Sequence, residues 1–370
     1  MSNPDFLQLG GSVVMAELLP FKQLTRCLRA ESMEAMKRSL MRYENPHGNL
    51  ELKRQIAKRM HGQARQAITD EMVITSGCIE AVSLFLQAVG NAGDTVVVES
   101  PSYPWLLQVI EDQNKFALEI PTDPQTGIDL EQLERAMQKN AVAACLLVPN
   151  FHNPLGFEMP VEKKKALVKM TGEMTIPIIE DNIHGELYFG KARPTTLKSM
   201  DRKGLVLHCA SFSKTLSPGL RVVWALPGHF TDRVKHLKMN STIASPTLNQ
   251  QVVAQFLKTG AFDRHLRRLR SALKNQITNT ALAIARYFPE GTRVTAPQGG
   301  LTLWVELDKQ VDGLKVFQEA RKQKISIFPG IICSTTGRYR NFIRISCGYP
   351  WSDQIEMGIK TLAVTIKKMT

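Results

Sequence analysis

Ser211-Phe212-Ser213-Lys214-Thr215-Leu216-Ser217-Pro218-Gly219-Leu220-Arg221 follows the apolar run Gly204-Leu205-Val206-Leu207-His208-Cys209-Ala210. The apolar run predicts a strand ending near Ala210, which presents the polar segment at its tip. The Lys214 amine can form a Schiff base with an aldehyde cofactor. Ser211, Ser213 and Arg221 are spaced to hold a phosphate. Together these are the demands that pyridoxal phosphate makes of a protein. A surface loop with a solvated lysine would satisfy the same short segment, because short motifs also match by chance. The rest of the chain decides between the two.

Outward from this segment, strand-like and helix-like stretches alternate from about residue 70 to residue 230. Strands are predicted at Met72-Val73-Ile74-Thr75, Thr95-Val96-Val97-Val98-Glu99, Ala143 to Val148, Ile176 to Glu180, Val206 to Cys209 and Arg221 to Ala225. Cys78 to Val89 reads as a helix with apolar Ile79, Val82, Phe85, Leu86 and Val89. Near-continuous apolar strands separated by helices indicate an α/β fold with a mostly parallel central sheet. A long helical region follows, from about Thr231 to Ala285. Strands at Leu301–Leu307, Ile325–Phe328 and Phe342–Cys347 then predict a smaller α+β domain. No internal repeat or low-complexity tract is present.

Composition fits this reading. The chain has 370 residues, 43% apolar and 22% charged, ordinary for a globular protein with one or two domains. No run of eighteen apolar residues exists, so no membrane partner is expected, and Met1-Ser2-Asn3-Pro4-Asp5 does not open a secretory signal. Six cysteines, Cys27, Cys78, Cys145, Cys209, Cys333 and Cys347, are widely spaced and form no C-x-x-C pair. Reduced thiols and a cytoplasmic location are expected, with no disulfide framework and no zinc site. The net charge of +13 calls for an anionic partner, a phosphate-bearing ligand or nucleic acid. The densest basic cluster, Arg264-His265-Leu266-Arg267-Arg268-Leu269-Arg270, reads as the solvated face of an amphipathic helix.

Ligands of open α/β sheets sit beyond the carboxyl ends of the strands. Three more segments fall there. Thr75-Ser76-Gly77-Cys78-Ile79 lies between a strand and a helix, whose first amides can grip a phosphate. Pro149-Asn150-Phe151-His152-Asn153-Pro154-Leu155-Gly156 follows a buried strand, and in isolation an Asn-Pro turn is the favoured explanation. Asp181 follows an apolar strand, and a buried carboxylate there requires a cation: a structural arginine or a protonated pyridine nitrogen.

In this order and spacing, the segments resemble fold-type I pyridoxal-phosphate aminotransferases over nearly the whole chain. The likeness is strongest to the aminotransferase-like domain of the MocR group of GntR-family transcriptional regulators. It is carried by Met72 to Gly77, Glu99-Ser100-Pro101-Ser102-Tyr103, Pro149 to Gly156, Glu180 to Leu187, Ser211 to Arg221, and Arg338-Tyr339-Arg340-Asn341-Phe342-Ile343-Arg344-Ile345-Ser346. The resemblance implies a large cofactor-binding domain over 45–240. It implies a small domain from 1–44 and 241–370 that includes an interdomain helix. Lys214 is then the Schiff-base lysine and proton shuttle. Asp181 pairs with the pyridine nitrogen, Tyr103 stacks on the ring and Asn153 hydrogen-bonds the ring hydroxyl. Amides of Gly77, Cys78 and Ile79, with Ser211, Ser213 and Arg221, bind the phosphate. Tyr43 reaches the phosphate of a neighbouring subunit, which implies a homodimer. Arg344, with Asn153, holds the carboxylate of an amino-acid or keto-acid substrate.

Departures from the family pattern carry expectations of their own. His184 stands where a tyrosine usually meets the ring hydroxyl; an imidazole can donate, and its charge is expected to change near neutral pH. Cys78 replaces a hydroxyl that often reaches the phosphate. The regulators carry a winged helix-turn-helix ahead of this domain, and residues 1–40 are too few for one. This chain alone is therefore expected not to bind DNA. Two functions compete: an effector domain that binds amino acids as Schiff bases with weak turnover, and a free-standing aminotransferase with a full ping-pong cycle.

Overall fold

The computed structural model describes residues 5–31, 33–43, 45–60 and 65–369. Its centre is an eight-stranded sheet. In spatial order the strands are Val73–Thr75, Val223–Leu226, Val206–Ser211, Ile178–Asp181, Val142–Leu147, Thr95–Ser100, Phe116–Asp123 and Gly127–Ile128. Five neighbours, from Val206–Ser211 to Phe116–Asp123, run parallel, while Val223–Leu226 and Gly127–Ile128 pair antiparallel. The mostly parallel α/β expectation holds.

The apolar runs are continuous because both faces of the sheet are covered. Val96 and Val98 pack with Leu146, Val82, Phe85 and Ile110, under helices Cys78–Val89 and Pro104–Glu111. Val97, between them, points the other way. It joins Cys145, Leu147, Leu133 and Leu167, under helices Leu130–Lys139 and Val161–Glu173. Successive side chains of a strand take opposite faces, and here each face is a core.

The strand Phe116–Asp123 was absent from the sequence expectation. Its pattern is broken by Glu119 and Pro121, and it lies near the sheet edge with Phe116 exposed. Glu119 finds partners only in the folded chain: the hydroxyls of Ser100, Ser334 and Thr335 and the Thr335 amide.

A second, antiparallel sheet contains Arg293–Val294, Thr302–Glu306, Phe342–Ser346 and Phe328–Pro329, backed by helices Gly313–Lys322 and Asp353–Lys367. The predicted single strand Ile325–Phe328 divides in two. Ile325–Ser326 pairs in parallel with Leu7–Gln8, and Phe328–Pro329 pairs with the Arg344 strand. Gly10 follows that pairing closely enough that a Cβ would meet the Ile327 carbonyl at 2.7 Å.

The helix Ala261–Tyr287 joins the two sheets. Its Phe262 and Leu266 pack with Trp224 of the large sheet, and its Ile277 and Ile284 pack with Leu303 and Ile343 of the small one. Arg264, Arg267 and Arg268 face solvent as expected of an amphipathic helix. Arg270 differs: it pairs with Glu186 at 3.1 Å and lies over the Tyr188 ring.

Candidate active site

The parallel strands deliver their tips to one region. Ser211 ends one strand, and the chain then turns back through Phe212 to Val222 to enter the antiparallel neighbour. The Phe212 amide donates to the Val222 carbonyl at 3.1 Å, closing this turn. The closure brings Arg221 back toward Ser211 and Ser213. Ser211 Oγ lies 2.9 Å from both Ser213 Oγ and the Ser213 amide. Arg221 takes a left-handed conformation, φ 53°, which is uncommon for a residue with a side chain. Its guanidinium lies against Gly77, where a Cβ would collide with Arg221 Nη2. Helix Cys78–Val89 begins there, and its first amides have no partners within the helix. The Ser76 amide is capped by Glu80 at 2.6 Å, and Glu80 is itself held by Lys238 at 2.8 Å. The helix-start amides beside Arg221, with two serine hydroxyls on the same turn, have the composition of an anion site.

Asp181 ends the central strand. It is buried and accepts from the Ile183 amide at 3.0 Å with the Cys78 thiol beside it. Burial pushes its pKa up to about 6. Among the described residues no arginine or lysine forms an ion pair with it, so of the two expected partners the structural arginine is missing. Its neighbour Glu180 faces the other side of the strand. Glu180 is fully used by His208 at 2.8 Å and by the amides of Leu197 and Lys198. Lys214 is close enough to feel Asp181, Cys78, Arg221 and Arg344, and burial lowers its pKa to about 8. Its amine donates to the carbonyl of Ser12.

Arg344 is buried in the small sheet. Nη1 donates to Asn153 Oδ1 at 2.8 Å, Nη2 donates to the Gly10 carbonyl at 2.7 Å, and Nε has no partner. The Phe328 ring lies 3.9 Å beneath the guanidinium. Asn153 thus gives its oxygen to Arg344 and keeps its amide protons for another acceptor. Tyr103 caps helix Pro104–Glu111, stacks on Trp105, and lies within electrostatic reach of both Asp181 and Arg344.

One sequence expectation is corrected. The charge of His184 does not change near neutral pH, because burial pushes its pKa down to about 3. Its Nδ1 lies 3.1 Å from the Phe151 carbonyl, which can only accept, so the neutral ring carries its proton on Nδ1. Nε2 is left buried, unpartnered and able only to accept. The Cys78 thiol lies beside Cys209 and Asp181, so the expected phosphate role of Cys78 falls to its amide.

Tyr43 stands apart, 84% exposed, beyond helix Met33–Met41. Gly10, Ser12 and Phe328 line the site and were missed in the sequence. Only the Gly10-Gly11 pair offered a signal, since a glycine marks close backbone approach.

The family profile for class I and II aminotransferases matches residues 17–362. The chain belongs to that family. The uncharacterized HTH-type transcriptional regulator YjiR of Escherichia coli (strain K12) is 36% identical over 362 residues, covering 95% of this chain and 77% of that protein. The 2-aminoadipate transaminase of Thermus thermophilus is 29% identical over 372 residues, covering 98% of this chain and 91% of that one. The crystal structure of LysN, the α-aminoadipate aminotransferase of Thermus thermophilus, superposes with a TM-score of 0.92 at 28% identity, covering 99% and 93% of the two chains. That enzyme is complexed with N-(5'-phosphopyridoxyl)-L-leucine. The fold is that of fold-type I aminotransferases.

The groups of this aminotransferase-family site fit pyridoxal phosphate. A partly buried amine stands ready for an aldehyde, and among the described residues the buried Asp181 carboxylate forms no ion pair with an arginine or lysine. Amides and Arg221 await an anion, and the unpartnered Arg344 Nε and His184 Nε2 are polar atoms whose burial is costly until something pairs with them.

Proposed function

We propose that this chain binds pyridoxal phosphate at Lys214 and acts on amino acids as an aminotransferase-like protein of the MocR type, derived from or part of a GntR-family regulator. The observation that carries the reading is that Lys214 lies within electrostatic reach of Asp181, Arg344 and Arg221 at once. When bound, the cofactor supplies a ring that accepts the electrons of a carbanion at the amino-acid Cα. Asp181 holds the ring nitrogen protonated. Lys214, with its lowered pKa, is partly unprotonated near neutrality, the state in which its amine would hold the cofactor covalently and could move a proton at the amino-acid Cα. Tyr103 would cover the ring, and Asn153 would donate to its hydroxyl. Ser211, Ser213, Arg221 and the amides of Gly77, Cys78 and Ile79 hold the phosphate. Arg344 receives the amino-acid or keto-acid carboxylate in place of the Gly10 carbonyl.

Further parts of the proposal concern organisation. Residues 45–240 form the cofactor-binding domain, and 1–44 with 241–370 form the small domain. The packing of Leu9 among Ile327, Ile343 and Ile345 supports joining the N-terminal residues to the C-terminal sheet. The chain works as a cytoplasmic homodimer, with Tyr43 reaching the partner's phosphate. Six free, buried cysteines support a reducing compartment. No helix among the described residues is long and apolar enough to cross a membrane.

Borohydride should fix the cofactor to the wild-type chain and leave Lys214→Ala unlabelled; labelling that persists in the variant overturns the reading. The second reading, a free-standing aminotransferase, is favoured by the completeness of the site. Stopped-flow half-reactions with a panel of amino acids, then steady-state assays with keto acids, separate the two. We expect amino acids to bind and full turnover to be slow, because His184 cannot donate to the ring hydroxyl. A cycle faster than about 10 per second, the median for enzymes, would establish the second reading.

A further inference from the structure

Strand register places Asp181 beside Cys209, so both side chains leave the same face of the sheet. Helix Cys78–Val89 covers that face and starts with a third candidate ligand, Cys78. Two thiol sulfurs and a carboxylate oxygen lie within 4.8 Å of one another, all buried, and among the described residues this is the one group of three or more so arranged. The two thiols and the Asp181 carboxyl are close enough to affect one another electrostatically.

We propose that Cys78, Cys209 and Asp181 form a site for a borderline or soft divalent cation, such as Zn2+ or Cd2+, that is open when the cofactor is absent. Two thiolates on one tetrahedral zinc sit about 3.8 Å apart, given Zn–S bonds of about 2.3 Å, so the ligands need only small movements. Paired thiolates select such metals over Mg2+ and Ca2+. Three anionic ligands around a dication leave a net charge of −1. Lys214 and Arg221 are close enough to stabilise that charge and the thiolates within it. The fourth position is left for water or the Lys214 amine. On binding, each thiol gives its proton to solvent. The inference rests on the proposed function in one respect: Asp181 is also the ring-nitrogen partner, so metal and cofactor exclude each other.

The test is a Cd2+ titration of the full-length chain freed of cofactor, followed by the sulfur-to-metal absorption band. One Cd2+ per chain is expected, with affinity lowered by more than about tenfold in Cys78→Ser and Cys209→Ser and unchanged in Cys145→Ala. Saturation with pyridoxal phosphate beforehand should suppress the band. Should the serine variants not fold, alkylation mapped by mass spectrometry on the wild-type chain decides: Cd2+ must protect Cys78 and Cys209. No band, a band that survives in the Cys78→Ser, Cys209→Ser double variant, or no protection of this pair overturns the proposal. A chain that takes Cd2+ but never pyridoxal phosphate would instead count against the proposed function and leave the metal site standing.

Discussion

Lys214 and Asp181 are pushed in opposite directions by one cause. Burial disfavours charge, so the amine drops to about 8 and the carboxyl rises to about 6. For a carboxyl whose folded pKa is raised, the stabilising contribution is present below its unfolded pKa and lost as pH rises through about 6. For an amine whose folded pKa is lowered, the cost appears as pH falls through the unfolded value and is complete below about 8. Near neutrality both groups therefore cost the cofactor-free chain on the order of 3 kcal/mol each. Calorimetry should show Lys214→Met and Asp181→Asn melting a few degrees above the wild-type chain without cofactor, while cofactor binding is lost or weakened. Variants that melt lower would refute this account. Capture of pyridoxal phosphate, followed by stopped flow, should accelerate as pH rises through about 8 and level off above. Its affinity should fall as pH drops through about 6, where Asp181 gains a proton. Arg344 makes a separate prediction. Arg344→Ala should weaken amino-acid binding by about 1.5–3 kcal/mol, the scale of a hydrogen bond to a charged group, and leave the cofactor spectrum intact. A variant that still binds amino acids at wild-type concentrations would move the anchor elsewhere. The identities of Lys214, Asp181 and Arg344 were legible in the sequence because each sits at or near a recognisable strand. The proton position on His184 was not, because it is set by the Phe151 carbonyl, 33 residues away.

The turn between the first strand of the large sheet and helix Cys78–Val89 has little room. Gly77→Ala would place a methyl on Arg221 Nη2, the mobile end of a long side chain, so the fold can adjust while the anion site cannot keep its shape. The expected outcome is a nearly unchanged Tm with cofactor affinity lowered by about tenfold or more, since misplacing a binding group by about 1 Å costs on the order of a hundredfold in rate. A Tm that falls while cofactor affinity holds would show that Gly77 serves packing alone. Helix Cys78–Val89 itself was readable from its apolar spacing and emerged with the expected bounds. Strand Phe116–Asp123 was not, since Glu119 inside it makes sense only once Ser334 and Thr335 arrive from the small sheet.

At the scale of the molecule, the N-terminal helices leave apolar side chains in water. Phe21, Met33, Leu40 and Met41 are 63–81% exposed, beside Tyr43 at 84%. An exposed apolar patch of this kind marks an association surface. Sedimentation should give a dimer. Tyr43→Phe chains mixed with Lys214→Ala chains should yield heterodimers with one intact site and one lacking both residues. A monomer that binds cofactor tightly would refute the shared site.

By itself the sequence determined most of the large sheet and the segments from which the candidate site is drawn, apart from residues 10–12 and Phe328. Strands buried on both faces must be written as continuous apolar runs, and the residues that hold a cofactor must stand at their ends. Only the tertiary structure decided what those residues can do. Burial sets the protonation of Lys214, Asp181 and His184, and strand register sets Cys209 beside Asp181. The return of residues 10–12 past Lys214 and Arg344 gives both side chains their present backbone partners. Each of these depends on groups far apart in the chain, whose distance and shielding from water exist only after folding.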